Sequence, residues 1–328
     1  MDVKKATMKD IAREAKVSVA TVSYILNKVD NQKITDETRC RVLEAANKLN
    51  YIPSLTARSL VRGRSGMVAL IFSRSERDGL WKKLYYGWLA ERMEALCKQA
   101  GYHLLVLGMD AELPRPEMIR QREVDGVLLA GVKKEVFRDI SIHFSVGVPI
   151  VLLDSHINDP LFHKVVMDYR QAFALWRKRT AAGEGRRFLV LDYLANEETM
   201  KAMVDAAQLG ADSIFILAED NANRLPDFLA RFQAGCGLVL NEFVGMVVAN
   251  AARGLELELT VLCPNGCAEL LPPDVHTLKP EGNRGPLELA FEMMQYYIES
   301  KEKTLADGKS EEGYEEYVSI PLQESDPC

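Results

Sequence analysis

The chain has 328 residues, 48% of them hydrophobic and 27% charged, which at roughly 150 residues per domain implies two or more packed bodies and excludes global disorder. No apolar run approaches the roughly 20 residues of a membrane span, and the early Lys4, Lys5, Lys9, Asp10, Arg13 and Glu14 stand where a signal peptide would be apolar, so a cytoplasmic protein without membrane contact is expected. The net charge of -6 is uneven: residues 1–64 hold 13 Lys and Arg against 7 Asp and Glu, the remainder 28 against 40, as expected of a phosphate-binding module joined to a body that avoids polyanions.

Thr7-Met8-Lys9-Asp10 is a near capping box, and the helix it starts carries Met8, Ile11, Ala12 and Ala15 on one face. Lys16-Val17 turns the chain, and Ser18 caps a second helix from Val19 to about Asn27 with Val22, Ile25 and Leu26 turned inward. Its other faces carry Val19, Ala20, Ser23, Tyr24 and Asn27, small or polar apart from one aromatic, and can approach another surface closely. Thr35 caps a third helix whose Val42, Leu43, Ala46 and Leu49 close a three-helix core. The spacing is that of a helix-turn-helix.

From Met67 onward, short apolar segments at 68–72, 104–107, 127–130, 150–153, 188–191, 214–217, 237–240 and 259–262 alternate with helical patterns. Such alternation predicts parallel sheets covered on both faces, and the length suits two wound lobes. The Glu-, Lys-, Gly- and Asp-rich stretch from Lys301 to Tyr317 reads as a solvated connection.

Motifs for chemistry are weak. Gly308-Lys309-Ser310 lacks the earlier glycine of a phosphate loop, and His103, His143, His156, His163 and His276 have no triad or zinc-binding spacing. Trp81, Trp88 and Trp176 lie in helical stretches and read as core or interface. Cys40, Cys97, Cys236, Cys263, Cys267 and Cys328 form no disulfide framework, and Cys263-Pro264-Asn265-Gly266-Cys267 reads as a strand-end turn, with no metal. An enzyme would need a nucleophile, metal set or cofactor loop, so neither catalysis nor a cofactor is expected.

The run from Thr7 to Asn27 resembles the DNA-binding headpiece of the LacI/GalR repressor family. Leu49-Asn50-Tyr51-Ile52-Pro53-Ser54, Ala57-Arg58-Ser59-Leu60 and Gly63-Arg64-Ser65-Gly66 resemble its hinge and core entry. Lys16 departs from the family, which usually has glycine there, so it must tolerate positive φ or the turn must differ. Gly101-Tyr102, Val124-Asp125-Gly126-Val127, the run from Gly147 to Asp154, and Val165-Val166-Met167-Asp168 resemble the family's periplasmic-binding-protein-like core, strongly to about Asp168 and loosely beyond. The resemblance implies an α/β chain in three parts: a helix-turn-helix headpiece over 1–52, a hinge helix and linker over 53–66, and a two-lobed core with parallel sheets over 67–328.

It also implies a transcriptional regulator, a repressor, that binds double-stranded operator DNA as a homodimer under control of a small-molecule effector in the interlobe cleft. The alternative is a regulator whose core has lost small-molecule binding and serves dimerisation or a protein partner. By family position Val19, Ala20 and Tyr24 would read base edges, and Thr7, Ser18, Thr21, Ser23, Asn27 and Tyr51 would meet the DNA backbone. Ala57, Arg58 and Leu60 would form the minor-groove hinge, Leu60 as its wedge. In the cleft, Asp154 matches an acidic position and Asn241-Glu242 resembles an Asn-Asp pair. Thr199 stands where the family has an arginine clamp, and Cys263-Pro264-Asn265 replaces Gly-Phe-Asp. These replacements predict an effector unlike a simple sugar, or none.

Overall fold

A computed structural model describes residues 6–26, 33–51, 64–115, 123–144, 147–159, 162–182, 185–307 and 317–324. The chain forms two compact units, Met1–Ser65 and Gly66–Cys328. The hinge residues Ala57, Arg58 and Leu60, and Asn27, lie outside the described residues, as does Gly308-Lys309-Ser310.

In the first unit, α1 (Met8–Ala15), α2 (Val19–Leu26) and α3 (Asp36–Lys48) surround a core of Ile11, Ala12, Ala15, Val22, Ile25, Val42, Ala45 and Ala46. The capping box closes at the start of α1: the Thr7 amide donates to Asp10 Oδ2 at 2.9 Å, and the Asp10 amide donates to Thr7 Oγ1 at 3.4 Å. This satisfies backbone donors that a helix start leaves orphaned. Lys16 ends α1 in the left-handed region at φ 54°, so the lysine adopts the conformation that glycine would take freely. Ser18 Oγ accepts from the Thr21 amide at 3.0 Å and starts α2, and Thr35 caps α3.

One core expectation is corrected. Leu43 is 44% exposed, and Ala45 is buried in its place, because Val42, Ala45, Ala46 and Leu49 follow the i, i+3, i+4, i+7 repeat of a single face while Leu43 lies off it. Leu26 and Leu49 are half-buried against that core.

The second unit has two lobes, each built on a six-stranded sheet. Lobe 1 has the order β11-β5-β4-β3-β1-β2, from β1 (Met67–Arg74), β2 (His103–Asp110), β3 (Gly126–Ala130), β4 (Ile150–Leu153), β5 (His163–Met167) and β11 (Tyr317–Ile320), all paired in parallel. Lobe 2 has the order β12-β10-β9-β8-β6-β7, from β6 (Arg187–Asp192), β7 (Ile214–Leu217), β8 (Gly235–Val239), β9 (Leu257–Leu262), β10 (His276–Pro280) and β12 (Leu322–Glu324). Among the described strands only β12 pairs antiparallel, on β10.

Long α4 (Leu80–Ala100) and short α5 (Lys134–Ser141) belong to lobe 1. Lobe 2 carries α6 (Tyr169–Arg179), α7 (Glu197–Ala207), α8 (Leu225–Ala230) and α9 (Glu242–Ala251), and α10 (Pro286–Asp307) returns to pack on β3, β4 and β5. The expected solvated connection after Lys301 is thus helical as far as Asp307, and β5, β10, β11 and β12 are strands outside the eight apolar segments that periodicity marked.

The backbone crosses between lobes after β5, after β10 and between β11 and β12, and the three crossings brace one another. The Asp168 amide donates to Ile320 O at 3.1 Å and the Glu281 amide to Pro321 O at 3.0 Å. Gln171 exchanges two hydrogen bonds with the backbone of Leu322, at 2.7 and 3.1 Å. Close packing needs glycine at Gly237 in β8, where a Cβ would stand 2.2 Å from the Phe188 ring. Trp176 is fully buried and Trp81 is 6% exposed, both within the apolar cores of this unit.

Candidate functional site

On the headpiece, α2 turns one face outward. With Val22 and Ile25 committed to the core, the helical repeat turns Val19, Ala20 and Tyr24 outward, and Val19 and Tyr24 are 41% and 37% exposed. Thr21 and Ser23 are half-buried beside them. Thr7 and Ser18 already hold their own helix starts, since Thr7 Oγ1 also donates to Asp10 Oδ2 at 2.6 Å and the Ser18 and Thr21 hydroxyls lie 2.8 Å apart. Tyr51 packs partly on the headpiece core. Lys48 Nζ donates to Glu14 Oε1 at 2.6 Å and ties α3 to α1.

In the core unit, the carboxyl ends of the parallel strands converge on the cleft between the lobes, where open α/β sheets place ligands. Asp154 follows β4, Asp192 ends β6, Asn241 follows β8, and Pro264 and Asn265 follow β9. Together with Lys82 and Tyr85 from α4, Tyr169 from α6 and several leucines, they line a cavity of about 60 Å³. That is far below the roughly 300–1,000 Å³ of small-molecule pockets. Asp154 stands in the left-handed region at φ 47°, a strained setting for a non-glycine residue. Its carboxylate accepts from Tyr169 Oη at 3.5 Å. Burial pushes its pKa up to about 6, against the Lys82 charge and the Tyr169 hydrogen bond.

Asn241 caps α9, its side chain accepting from the Val244 amide at 2.7 Å. Glu242, the next residue, is fully buried beneath the turn after β9. It accepts from the Asn265 amide at 2.9 Å, Asn265 Nδ2 at 3.1 Å and the Cys267 amide at 3.3 Å. Burial raises its pKa to about 7 despite those donors. Glu242 therefore shapes the wall that presents Asn265 and does not itself line the cavity.

Thr199 lies elsewhere. It is 4% exposed; its hydroxyl donates to Asn196 Oδ1 at 2.9 Å and accepts from the His156 amide at 2.9 Å, and it is absent from the cavity lining. The sequence positions Asp154, Asn241 and Asn265 thus meet at one cavity, with Glu242 behind Asn265 and Thr199 at the rim. Sequence reasoning missed Lys82, Asp192 and Asn196. Asn196 carried a local signal, the helix cap ahead of Glu197-Glu198-Thr199, but its reach across the cleft did not.

Residues 7–54 match the family described as "Bacterial regulatory proteins, lacI family". The chain is 32% identical over 157 residues to the ribose operon repressor of Halalkalibacterium halodurans, a match covering 47% of this chain and 44% of that one. It is 34% identical over 154 residues to the transcriptional repressor PurR of Mannheimia succiniciproducens, covering 45% and 43%. The matched stretch therefore spans less than half of either relative. In fold, the chain superposes on the lac repressor dimer bound to operator and an anti-inducer with a TM-score of 0.66 at 16% identity, covering 98% of each chain. Among the described residues no helix is long and apolar enough to cross a membrane.

Proposed function

We propose, from the premise that residues 7–54 belong to the lacI family of bacterial regulatory proteins, that this chain is a sequence-specific transcriptional repressor rather than an enzyme. It binds a palindromic operator as a homodimer, and α2 enters the major groove. The observation that carries this reading is the outward face of α2, with Val19, Ala20 and Tyr24 exposed on a helix whose opposite side is locked into the headpiece core. Valine and alanine can meet thymine methyls but cannot make the bidentate guanine contact of an arginine, so readout rests on apolar contact and Tyr24. Thr7, Ser18, Thr21, Ser23, Asn27 and Tyr51 position the helix on phosphates. Ala57, Arg58 and Leu60 form the hinge, with Leu60 wedged into a minor-groove step. In vitro selection of duplexes bound by the full chain tests the reading. Two half-sites related by a dyad are the expected outcome, and recovery of no common sequence would overturn it.

A second reading concerns the core. The cavity of about 60 Å³ and the engagement of Thr199 within the protein favour a core that has lost its small-molecule effector and serves dimerisation or a protein partner. A thermal-shift screen of pentoses, hexoses and their phosphates tests it. Silence is expected, and a sugar that binds at micromolar concentration and releases operator would refute it.

A further inference from the structure

The cleft is bridged on both rims by the protein's own side chains. On one rim, α4 of lobe 1 sends two consecutive residues into lobe 2. Lys82 Nζ lies 2.5 Å from Asp192 Oδ2 and 3.4 Å from Tyr193 O, and Trp81 Nε1 donates to Asp192 Oδ1 at 2.8 Å. The Lys82 and Asp192 side chains are each 9% exposed. Just before them, Arg77 stacks over the Tyr193 ring at 4.2 Å, pairs with Asp220 at 3.3 Å, and accepts the Glu219 amide on its carbonyl at 3.0 Å. On the other rim, Asn196 Nδ2 donates to Val132 O at 2.8 Å and His156 O at 3.3 Å, and the His156 amide donates to Thr199 Oγ1 at 2.9 Å. Between them Tyr85 and Trp88 of lobe 1 pack on Phe243 of lobe 2, with ring centroids 5.8 and 6.5 Å apart.

We propose that Lys82 is a built-in ligand of the core: its side chain crosses from lobe 1, occupies the cleft on Asp192, and with the Asn196–Thr199 clasp holds the two lobes closed. A cleft ligand acts by contacting both lobes at once, so that closure gains free energy only when the ligand is bound. Lys82 makes those contacts permanently. Its stem takes up space that a ligand would fill, and its Nζ neutralises the strand-end carboxylate that a ligand would have to meet. With Lys82 removed, the Asp192 carboxylate is left buried and unpaired whenever the lobes are closed, so the variant favours opening; in the intact protein this ion pair on one rim and the hydrogen bonds of the wholly buried Asn196 on the other are made only when the lobes are closed. Closure then no longer depends on an effector, which rests on the second reading above; the lobe contacts themselves can be tested without operator.

Two amides report lobe separation directly, because Glu219 N–H and His156 N–H both bond across the cleft. Residue-resolved hydrogen exchange on the full chain compares them with the Tyr193 amide, which bonds to Leu217 O within lobe 2. Lys82→Ala should speed exchange at Glu219 by about 100-fold while Tyr193 keeps its protection. Millimolar n-propylammonium, the fragment that truncation deletes, should restore protection in the variant and leave wild type unchanged. Thr199→Val should speed exchange at His156 in the same selective way. Should Lys82→Ala not fold, Lys82→Met, similar in length without the charge, carries the same expectation at Glu219. Wild-type exchange at Glu219 in whichever Lys82 variant folds, or acceleration in Lys82→Ala that n-propylammonium does not reverse, would overturn the proposal. Equal acceleration at Tyr193 would overturn it too, since Lys82 would then support lobe 2 as a whole.

Discussion

Replacing Glu242 with glutamine isolates a buried charge that shapes the cleft wall. Glu242 has no exposed surface, and burial moves its pKa from 4.5 to about 7 even though three donors from the turn after β9 point at it. The folded protein therefore holds this proton more tightly than the unfolded chain. The associated stability is complete below the unfolded pKa and is lost as pH rises through the folded one. At about 1.4 kcal/mol per pKa unit, the interval from 4.5 to about 7 corresponds to a loss on the order of 3 kcal/mol. Glutamine cannot ionise, and its Oε1 can still accept from the Asn265 and Cys267 amides. Urea unfolding of both proteins across pH 5 to 8, followed by tryptophan fluorescence, is the assay. Asp154, raised to about 6 in the same direction, is common to both proteins and cancels in their difference. Glu242→Gln should gain on wild type steadily as pH rises to about 7 and then hold its advantage. Parallel profiles would refute the reasoning, because the carboxylate would then be solvated, or relieved of its burial, in a way the geometry does not allow.

Tyr24→Ala should weaken binding to the selected operator by about 1–3 kcal/mol and to random duplex by less, measured by fluorescence anisotropy at fixed salt; equal losses on both would remove Tyr24 from readout. Ile11→Ala empties the centre of the headpiece core, where Ile11 is fully buried. It should cost about 2–5 kcal/mol in the headpiece and abolish operator binding, while the thermal transition of the core unit stays put. Lys16→Gly relieves a left-handed lysine at φ 54°. It should stabilise the headpiece by up to about 1 kcal/mol in denaturant titration, and a loss of stability would mean the lysine side chain contributes more than its backbone costs.

The headpiece is legible because its signals are local. Thr7, Ser18 and Thr35 announce three helix starts within one turn of the donors they satisfy, and Val22 and Ile25 follow a single helical repeat into the core. Leu43 misleads because hydrophobicity alone favours it over Ala45. Only strict periodicity, together with the small residues Ala12 and Ala15 that α1 contributes to the same core, shows that an alanine suits that position. In the core unit, all eight apolar segments coincide with strands, the one at 237–240 running a residue past the end of β8, since a strand buried on both faces leaves an unbroken apolar run. The four strands outside those segments lack so long an apolar run: β5, though interior to its sheet, opens with His163-Lys164, and β11 is Tyr317-Val318-Ser319-Ile320. β10 ends in a proline and carries Lys279, and β12 has three residues on a sheet edge.

The cleft is harder to read because it consists of pairings between distant residues. Asp154, Asn241 and Asn265 could be placed at strand ends, and Thr199 could be seen as the loss of an arginine, yet nothing near Lys82 in sequence marks it as the residue that bridges the cleft. It stands in a helix between Trp81 and Lys83, and on amphipathicity alone it belongs at the surface, where Lys83 does remain. Its partner Asp192 is 110 residues away and ends a strand of the other lobe. A buried lysine is tolerated only where a specific acceptor meets it, so its inward placement follows from how the lobes close and cannot be read from α4 alone. The same holds for Thr199. The sequence reveals that a forked cation is missing, while only the closed lobes reveal that the hydroxyl in its place serves the His156 backbone.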